Sequence, residues 1–350
     1  IMPNSTHTPL PTKRKRPHPA IRALGHIGFF AVFLGAAAWT ATALFVHFST
    51  PALVLAEALL ALAALGVLLL RYRYRSRRAG WAGLAAAALV VGAWYQTIRP
   101  SDQRIWAFDV ARGVTADVSG DNVTLHNIRS FRWKDESTAD VAWVSQTYDL
   151  RDLTSVDMLT SVWDDPDIAH LLVSFGFAAD RHVVFSVEIR REQGEEFNVL
   201  GGFFRQFEMV LIAADEPDII KLRTNYRKED VHLYPIRLDQ ARMQKMFMAY
   251  VDLGNDLAAR PAFYNTIFAN CSTAVYRLAK VIIPDMPLDI RLIKTGRLYQ
   301  YLAELGGLQG DISMAQRFKA SAVTQIAQAS PDDQSFSTAI RAGEISLPKP

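Results

Sequence analysis

Three apolar runs near the N-terminus constrain this chain more than any other feature. The runs are Ile27–Val46, Ala52–Leu70 and Trp81–Ile98, and Glu57 is the one charged residue inside them. A helix of roughly 20 apolar residues is long enough to cross the hydrocarbon core of a bilayer. The pattern therefore predicts three transmembrane helices within residues 21–98.

Basic residues flank these runs unevenly and indicate their direction. Lys13–Arg16 precede the first run, and five arginines lie within Arg71–Arg78, between the second and third runs. Because Lys and Arg accumulate on the cytoplasmic side of membrane helices, both segments are expected there. Three crossings from a cytoplasmic N-terminus then place residue 99 onward in the periplasm of a bacterium, with the protein in the inner membrane. Residues 1–20 are predicted to be a disordered, basic cytoplasmic tail.

Two other interpretations of the apolar runs are less consistent with the sequence. A cleavable signal peptide would be shorter and would not be followed by two more apolar runs. A buried helical hairpin of a soluble protein would not need arginines between its helices.

The rest of the chain has the composition of a soluble domain. The net charge of the whole chain is only +3, so the sequence does not predict a general nucleic-acid binder. No zinc-type spacing of Cys and His occurs, and neither a metal nor a cofactor is expected. Residues 99–320 are predicted to form one α+β domain, and residues 321–350 a polar, loosely held tail.

Alternating and helical patterns divide this domain into elements. Val123–Trp133 alternates like a strand, and His170–Phe177 with Arg181–Arg191 predicts a hairpin. Ser155–Trp163 is interpreted as a short helix. Further helices are predicted at Asp239–Leu257, with Asp239 as N-cap, and at Asn270–Val281.

Cys271, the single cysteine of the chain, is the best candidate for chemistry. Asn270 is a good N-cap residue and Ser272 suits a first helical turn, so Cys271 is expected at a helix N-terminus. The helix dipole would stabilise a thiolate there. His170 at a strand end is the predicted base, and Glu188 on the neighbouring strand is the predicted orienting group. Ser186 is a weaker alternative to Glu188.

Each of these residues also has a structural interpretation. Cys271 is alternatively an inert buried thiol and Asn270 a simple cap, while His170 is alternatively a strand-edge histidine. By spacing alone, Glu188 more often pairs with a surface arginine.

Six strings of this sequence resemble one bacterial domain family, in that family's order. The strings are His170–Phe177, Phe185–Glu192, Gly202–Glu208, Leu222–Asp230, Val231–Pro235 and Tyr264–Thr273. The resemblance as a whole covers roughly residues 105–300. The family is the Lnb N-terminal periplasmic domain, named after a lipoprotein N-acyltransferase.

The resemblance implies a fold similar to permuted papain-like, NlpC/P60-type thiol enzymes. It implies His170 as base and Cys271 as nucleophile, with Glu188 at the acidic position. In the acyltransferase the membrane helices follow the outer domain, whereas here they precede it.

These observations lead to three functional hypotheses. The first is a membrane-anchored cysteine acyltransferase or hydrolase that takes an acyl chain from phospholipid or lipoprotein as a Cys271 thioester. Phe204, Arg205 and Tyr264 are weaker candidates for binding its substrate. The second is a cysteine amidase or peptidase acting on cell-wall peptide. The third is a non-catalytic, membrane-tethered binding module.

Overall fold

The computed structural model describes residues 19–333 and 335–342, so residues 1–18 of the predicted cytoplasmic tail lie outside the described part. The chain divides into two compact units, residues 1–99 and residues 100–350. This division falls where the sequence changes from apolar runs to a domain-like composition.

The first unit consists of three helices. They are α1 (Pro19–His47), α2 (Thr50–Leu68), which continues as a π-helical turn over Leu69–Arg73, and α3 (Arg77–Thr97). Ser76 caps α3, since its side chain accepts a hydrogen bond from the backbone N–H of Ala79 at 3.1 Å. Such a cap satisfies one of the free N–H groups at a helix start.

Two helices of this unit, not three, qualify as candidate membrane spans among the described residues. Pro19–His47 and Thr50–Arg73 are long and apolar enough to cross a bilayer, and little of their surface is buried in the structure. The third predicted span does form helix α3. It is less hydrophobic than the other two, because glycine, tryptophan, tyrosine and glutamine replace aliphatic residues within Arg77–Thr97.

The second unit is built on an eight-stranded sheet. Its strand order is β1-β2-β9-β8-β7-β6-β10, and β5 pairs with β2 outside this path. The pair β2–β9 is parallel and the others are antiparallel. The strands, including the separate pair β3–β4, are β1 Thr115–Ser119, β2 Asn122–Arg129, β3 Arg132–Trp133, β4 Ala139–Asp140, β5 Trp143–Asp149, β6 Leu153–Val162, β7 Ala169–Phe177, β8 Arg181–Arg190, β9 Glu208–Ala214 and β10 Asp230–Pro235.

Helices cover both faces of this sheet. They are α4 Val199–Phe203, α5 Glu216–Lys221, α6 Gln240–Ala259, α7 Cys271–Ile282, α8 Leu298–Glu304, α9 Met314–Ser321, α10 Thr324–Ala329 and α11 Phe336–Arg341. One buried cluster joins the sheet to α6 and α7. A second cluster on the other face joins it to α5, α10 and α11. The domain is therefore a layered α+β structure, as the sequence predicted.

Two sequence-based element predictions differ from the structure. Ser155–Trp163, interpreted as a helix, lies almost entirely in strand β6. The predicted strand Val123–Trp133 is interrupted, because a bulge follows Leu125 and Asn127 takes a positive φ of 61°. A bulge bends a strand and ends its regular pairing.

The predicted loose tail is folded as far as residue 342. Phe336 and Ile340 of α11 are fully buried, and their burial stabilises this segment against the sheet. Arg341 forms ion pairs with Asp157 and Glu216 at 2.7 and 2.6 Å. A few buried apolar residues therefore hold this mostly polar segment against the domain. Residues 343–350 lie outside the described part.

Candidate functional site

Helix α7 begins at Cys271, as the sequence predicted. The side chain of Asn270 accepts a hydrogen bond from the N–H of Thr273 at 2.9 Å, and the hydroxyl of Thr273 accepts one from the N–H of Asn270 at 2.8 Å. This reciprocal arrangement is a capping box. It fixes the first turn, and with it the direction of the Cys271 side chain.

The β7–β8 hairpin carries the other polar side chains of the site. His170 is near the start of β7, while Ser186 and Glu188 are on β8, which pairs with β7 in antiparallel register. Alternate residues of a strand point to the same face. Ser186 and Glu188 therefore share one side of β8, the side on which His170 lies.

These side chains form a chain of hydrogen bonds. Nε2 of His170 lies 2.7 Å from Oγ of Ser186 and 3.2 Å from Oε1 of Glu188. The Ser186 hydroxyl donates to the same Glu188 oxygen at 2.7 Å. The carboxylate and the hydroxyl thus fix the orientation of the ring.

The thiol of Cys271 lies close enough to the imidazole of His170 and to the backbone N–H of Leu171 for both groups to lower its pKa. Oγ of Ser272 lies 3.9 Å from the sulfur. The structure therefore brings together Cys271, His170, Glu188 and Ser186, with Asn270 and Ser272 as supporting neighbours. The catalytic roles of these residues remain predictions.

Arg223 completes the cluster, since it binds the same Glu188 oxygen, Oε1, that His170 and Ser186 contact. One of its guanidinium nitrogens lies 3.0 Å from Glu188 and the other 3.2 Å from Glu229. Sequence spacing did not identify Arg223, because it lies in a π-helical turn, Leu222–Tyr226, that is distant from both strands in the sequence. Its position inside one of the six strings was the available signal.

The charges of the cluster support one another. Burial raises the pKa of the Cys271 thiol, but His170 and the Leu171 N–H outweigh it, so the thiol pKa is lowered. Burial lowers the pKa of His170, but Glu188 and Cys271 outweigh it and raise that pKa to about 9. Despite burial, His170 and Arg223 hold the pKa of Glu188 well below its usual range. The arrangement favours a thiolate–imidazolium pair.

An apolar cavity of about 170 Å³ lies beside this cluster, but Cys271, His170, Ser186 and Glu188 are not among its lining residues. Leu171 and Ser272, both next to the sulfur, contribute to its lining. Arg237 and Arg242 are the charged residues of that lining. The other lining residues are Met158, Val173, Ile236, Leu238, Met246, Val275, Tyr276, Ala279, Ile282, Ile283, Met286, Leu292, Leu298, Leu302, Leu305, Gly306 and Gly307.

The three weaker substrate-binding candidates do not line this cavity. Phe204 is buried, and Arg205 takes a positive φ of 59° with its guanidinium 5.8 Å from the ring of Phe263. Tyr264 lies closer to the cluster, since burial together with the charges of Cys271 and Glu188 raises the pKa of its hydroxyl.

One known protein family matches the part of the chain that contains this site. Residues 139–296 match the Lnb N-terminal periplasmic domain, and the match includes both His170 and Cys271. No curated protein and no solved structure showed significant similarity to the chain. A periplasmic domain that follows apolar N-terminal helices indicates a membrane-associated protein facing the periplasm. The segment 139–296, which contains the candidate site, therefore belongs to the Lnb N-terminal periplasmic domain family.

Proposed function

We propose that this protein is a cysteine acyltransferase or hydrolase anchored in the bacterial inner membrane, with its thiol enzyme domain in the periplasm. The observation that carries the proposal is a thiol at a helix start beside an oriented imidazole, with an apolar cavity lined by its neighbours Leu171 and Ser272. The thiol and imidazole supply nucleophile and base. The cavity supplies the preference for an acyl chain over a polar peptide.

The reaction proceeds in two steps. The Cys271 thiolate attacks the carbonyl carbon of an acyl ester, the carbon–oxygen bond breaks, and the His170 imidazolium gives its proton to the departing alkoxide. An amine or water then attacks the thioester, passes a proton to His170, and releases the thiolate. Glu188 and Ser186 keep the ring oriented throughout, which is the role of the third group in a triad.

Membrane lipid is the proposed acyl donor, and a lipoprotein amine the proposed acceptor. An acyl chain fits a cavity whose lining is almost wholly apolar. Arg237 and Arg242, at its charged part, suit the phosphate of a lipid headgroup. The apolar lining favours this donor over the cell-wall peptide of the amidase hypothesis.

Helix α3 is proposed to cross the membrane as well. If only α1 and α2 crossed, residues 71–78 and the domain from residue 100 would lie on one side. Five arginines favour the cytoplasm for that side, whereas the family is periplasmic. A reporter active only in the periplasm, fused after Ser76 and after Pro100, tests this. Activity at Pro100 and none at Ser76 is expected.

Intact-mass measurement tests the chemistry directly. The purified full-length chain is incubated with phospholipid, and an added mass equal to one acyl chain is expected on the native protein. Cys271→Ala is expected to show none. Since Cys271 is the single cysteine, an adduct that persists in the variant contradicts the proposal. An adduct or product formed with muropeptide instead of phospholipid would favour the amidase.

A further inference from the structure

Two short loops beside Cys271 expose large apolar side chains. Phe197 and α4 lie in the first loop, and residues 267–268 form the second. We call the exposed set the apolar rim; it consists of Phe197, Val199, Leu200, Phe203, Ile267 and Phe268, whose exposed fractions range from 40% for Phe203 to 72% for Phe268. Such a concentration of exposed apolar groups indicates a contact surface.

The two loops are joined to each other and to the thiol-bearing helix. The N–H of Thr266 donates to the carbonyl of Gly202 at 3.4 Å, and its hydroxyl donates to the carbonyl of Val199 at 3.4 Å. The side-chain amide of Asn270, the cap of α7, donates to the carbonyl of Thr266 at 2.7 Å. The rim is therefore one surface, and it is fixed directly beside Cys271.

The chain enters the domain at this same edge. The N–H of Ser101 donates to Glu208 at 3.1 Å, and Arg104 lies 2.7 Å from Glu192 and 3.0 Å from Glu208. Glu192 and Glu208 are the two ends of the segment that carries the first loop. Glu208 also pairs with Phe263, close to the second loop.

The connection to the membrane helices is short. Helix α3 ends at Thr97, and from there to Ser101 an extended chain spans at most about 14 Å. If α3 crosses the bilayer, as proposed above, Ser101, which is bonded to Glu208, follows the membrane helix within this length of chain.

We infer that the apolar rim inserts into the interfacial region of the periplasmic leaflet and holds Cys271 at the lipid surface. Aromatic and aliphatic side chains gain free energy when they enter the boundary between headgroups and acyl chains. Insertion brings the thiol to its substrate without requiring a lipid to leave the bilayer. The inference depends on the membrane anchoring and is independent of the chemistry of Cys271.

Lipid quenching of a single fluorescent label tests this inference. The full-length chain carries Cys271→Ala and Phe268→Cys, with an environment-sensitive fluorophore on the new thiol, in phosphatidylcholine–phosphatidylglycerol vesicles. The matched control carries Val118→Cys, at an apolar position that is 49% exposed on strand β1. Acyl-chain spin labels are expected to quench most of the emission at residue 268 and little at residue 118.

Either of two results would overturn the inference. Equal, weak quenching at both positions means that the rim stays in water. A blue-shifted label at residue 268 without lipid quenching means that protein covers the rim. Because Cys271 is absent from both variants, neither result bears on the proposed acyl chemistry. Limited proteolysis checks that the labelled chains remain folded.

Discussion

Strand β7 carries two buried polar clusters that are built from the same residue types. At its start, His170 faces Ser186 and Glu188, and Arg223 binds that glutamate. Four residues further along, the Ser174 hydroxyl donates to Glu216 at 2.6 Å. Arg341 binds that second glutamate and also Asp157.

Comparing the two clusters shows that shifted pKa values alone do not identify a candidate site. Burial opposes ionisation of Glu216, but Arg341 outweighs it and lowers that pKa to about 2, much as His170 and Arg223 act on Glu188. A shifted pKa is therefore common to both clusters. The imidazole of His182 also acts on Glu216, so an imidazole is common to both clusters as well. The difference is the thiol of Cys271, which supplies a reactive group in the first cluster.

Replacing His170 should have the largest effect on reactivity. His170→Ala removes the main group that lowers the thiol pKa, so less of Cys271 is ionised at neutral pH and its alkylation should slow by roughly 10–100-fold. Iodoacetamide labelling followed by intact mass measures this. His126→Ala is the control, because His126 also pairs with a carboxylate, Asp117, at 2.9 Å. Equal rates in the two variants would contradict the assignment of His170.

Replacing Arg341 should affect stability and spare reactivity. Arg341→Ala leaves the buried carboxylates of Asp157 and Glu216 without a counter-charge, at a cost of about 3–5 kcal/mol. Urea unfolding followed by tryptophan fluorescence measures the loss. Thiol alkylation under native conditions should be unchanged. A stable variant with a slowed thiol would mean that the two clusters are coupled.

Removing the charge of Glu188 should change the pH dependence of the reaction. In the native protein His170 keeps its proton until about pH 9, so proton donation is lost as the pH rises through that value. In Glu188→Gln the main group that raises this pKa is gone. The alkaline limb of the acylation rate is therefore expected at lower pH. An unchanged limb would exclude Glu188 as the partner of His170.

Replacing Ser186 or Ser174 should have the smallest effects. The first replacement should change the reaction rate and the second the stability, which distinguishes the two clusters. Ser186→Ala removes one hydrogen bond to His170, so a loss of about 1 kcal/mol, roughly fivefold in rate, is expected. Ser174→Ala should lower the free energy of unfolding by a similar amount and leave the rate unchanged. Reaction rates and urea-unfolding free energies measured for both variants test this difference.

The sequence predicted the part of this site that depends on local patterns. A capping residue before Cys271 and an alternating hairpin are signals within a short window, and both elements form as expected. The prediction failed for Ser155–Trp163, which was interpreted as a short helix and lies almost entirely in strand β6, where Asp157 and Ser161 are found. Both residues are buried in the sheet, with partners at Arg341 and Glu229.

Those partners explain what the sequence could not reveal. A polar residue looks solvent-facing until the distant residue that satisfies it is known, and Asp157 and Arg341 are 184 residues apart. Arg223 and the cavity lining were missed for the same reason. The position of Arg223 follows from the packing of the turn Leu222–Tyr226 against α5, α10 and β10. The cavity follows from the packing of α7 and α8 on the sheet, and no local pattern encodes either arrangement.

The Arg341 ion pairs also have a consequence for the order of biogenesis. A domain exported behind its membrane helices emerges with β6 well before α11. Until residue 341 has crossed, Asp157 and Glu216 have no cation to bind, so the sheet cannot close around them at low energetic cost. Final folding of this domain is thus expected after translocation of α11 and not during it.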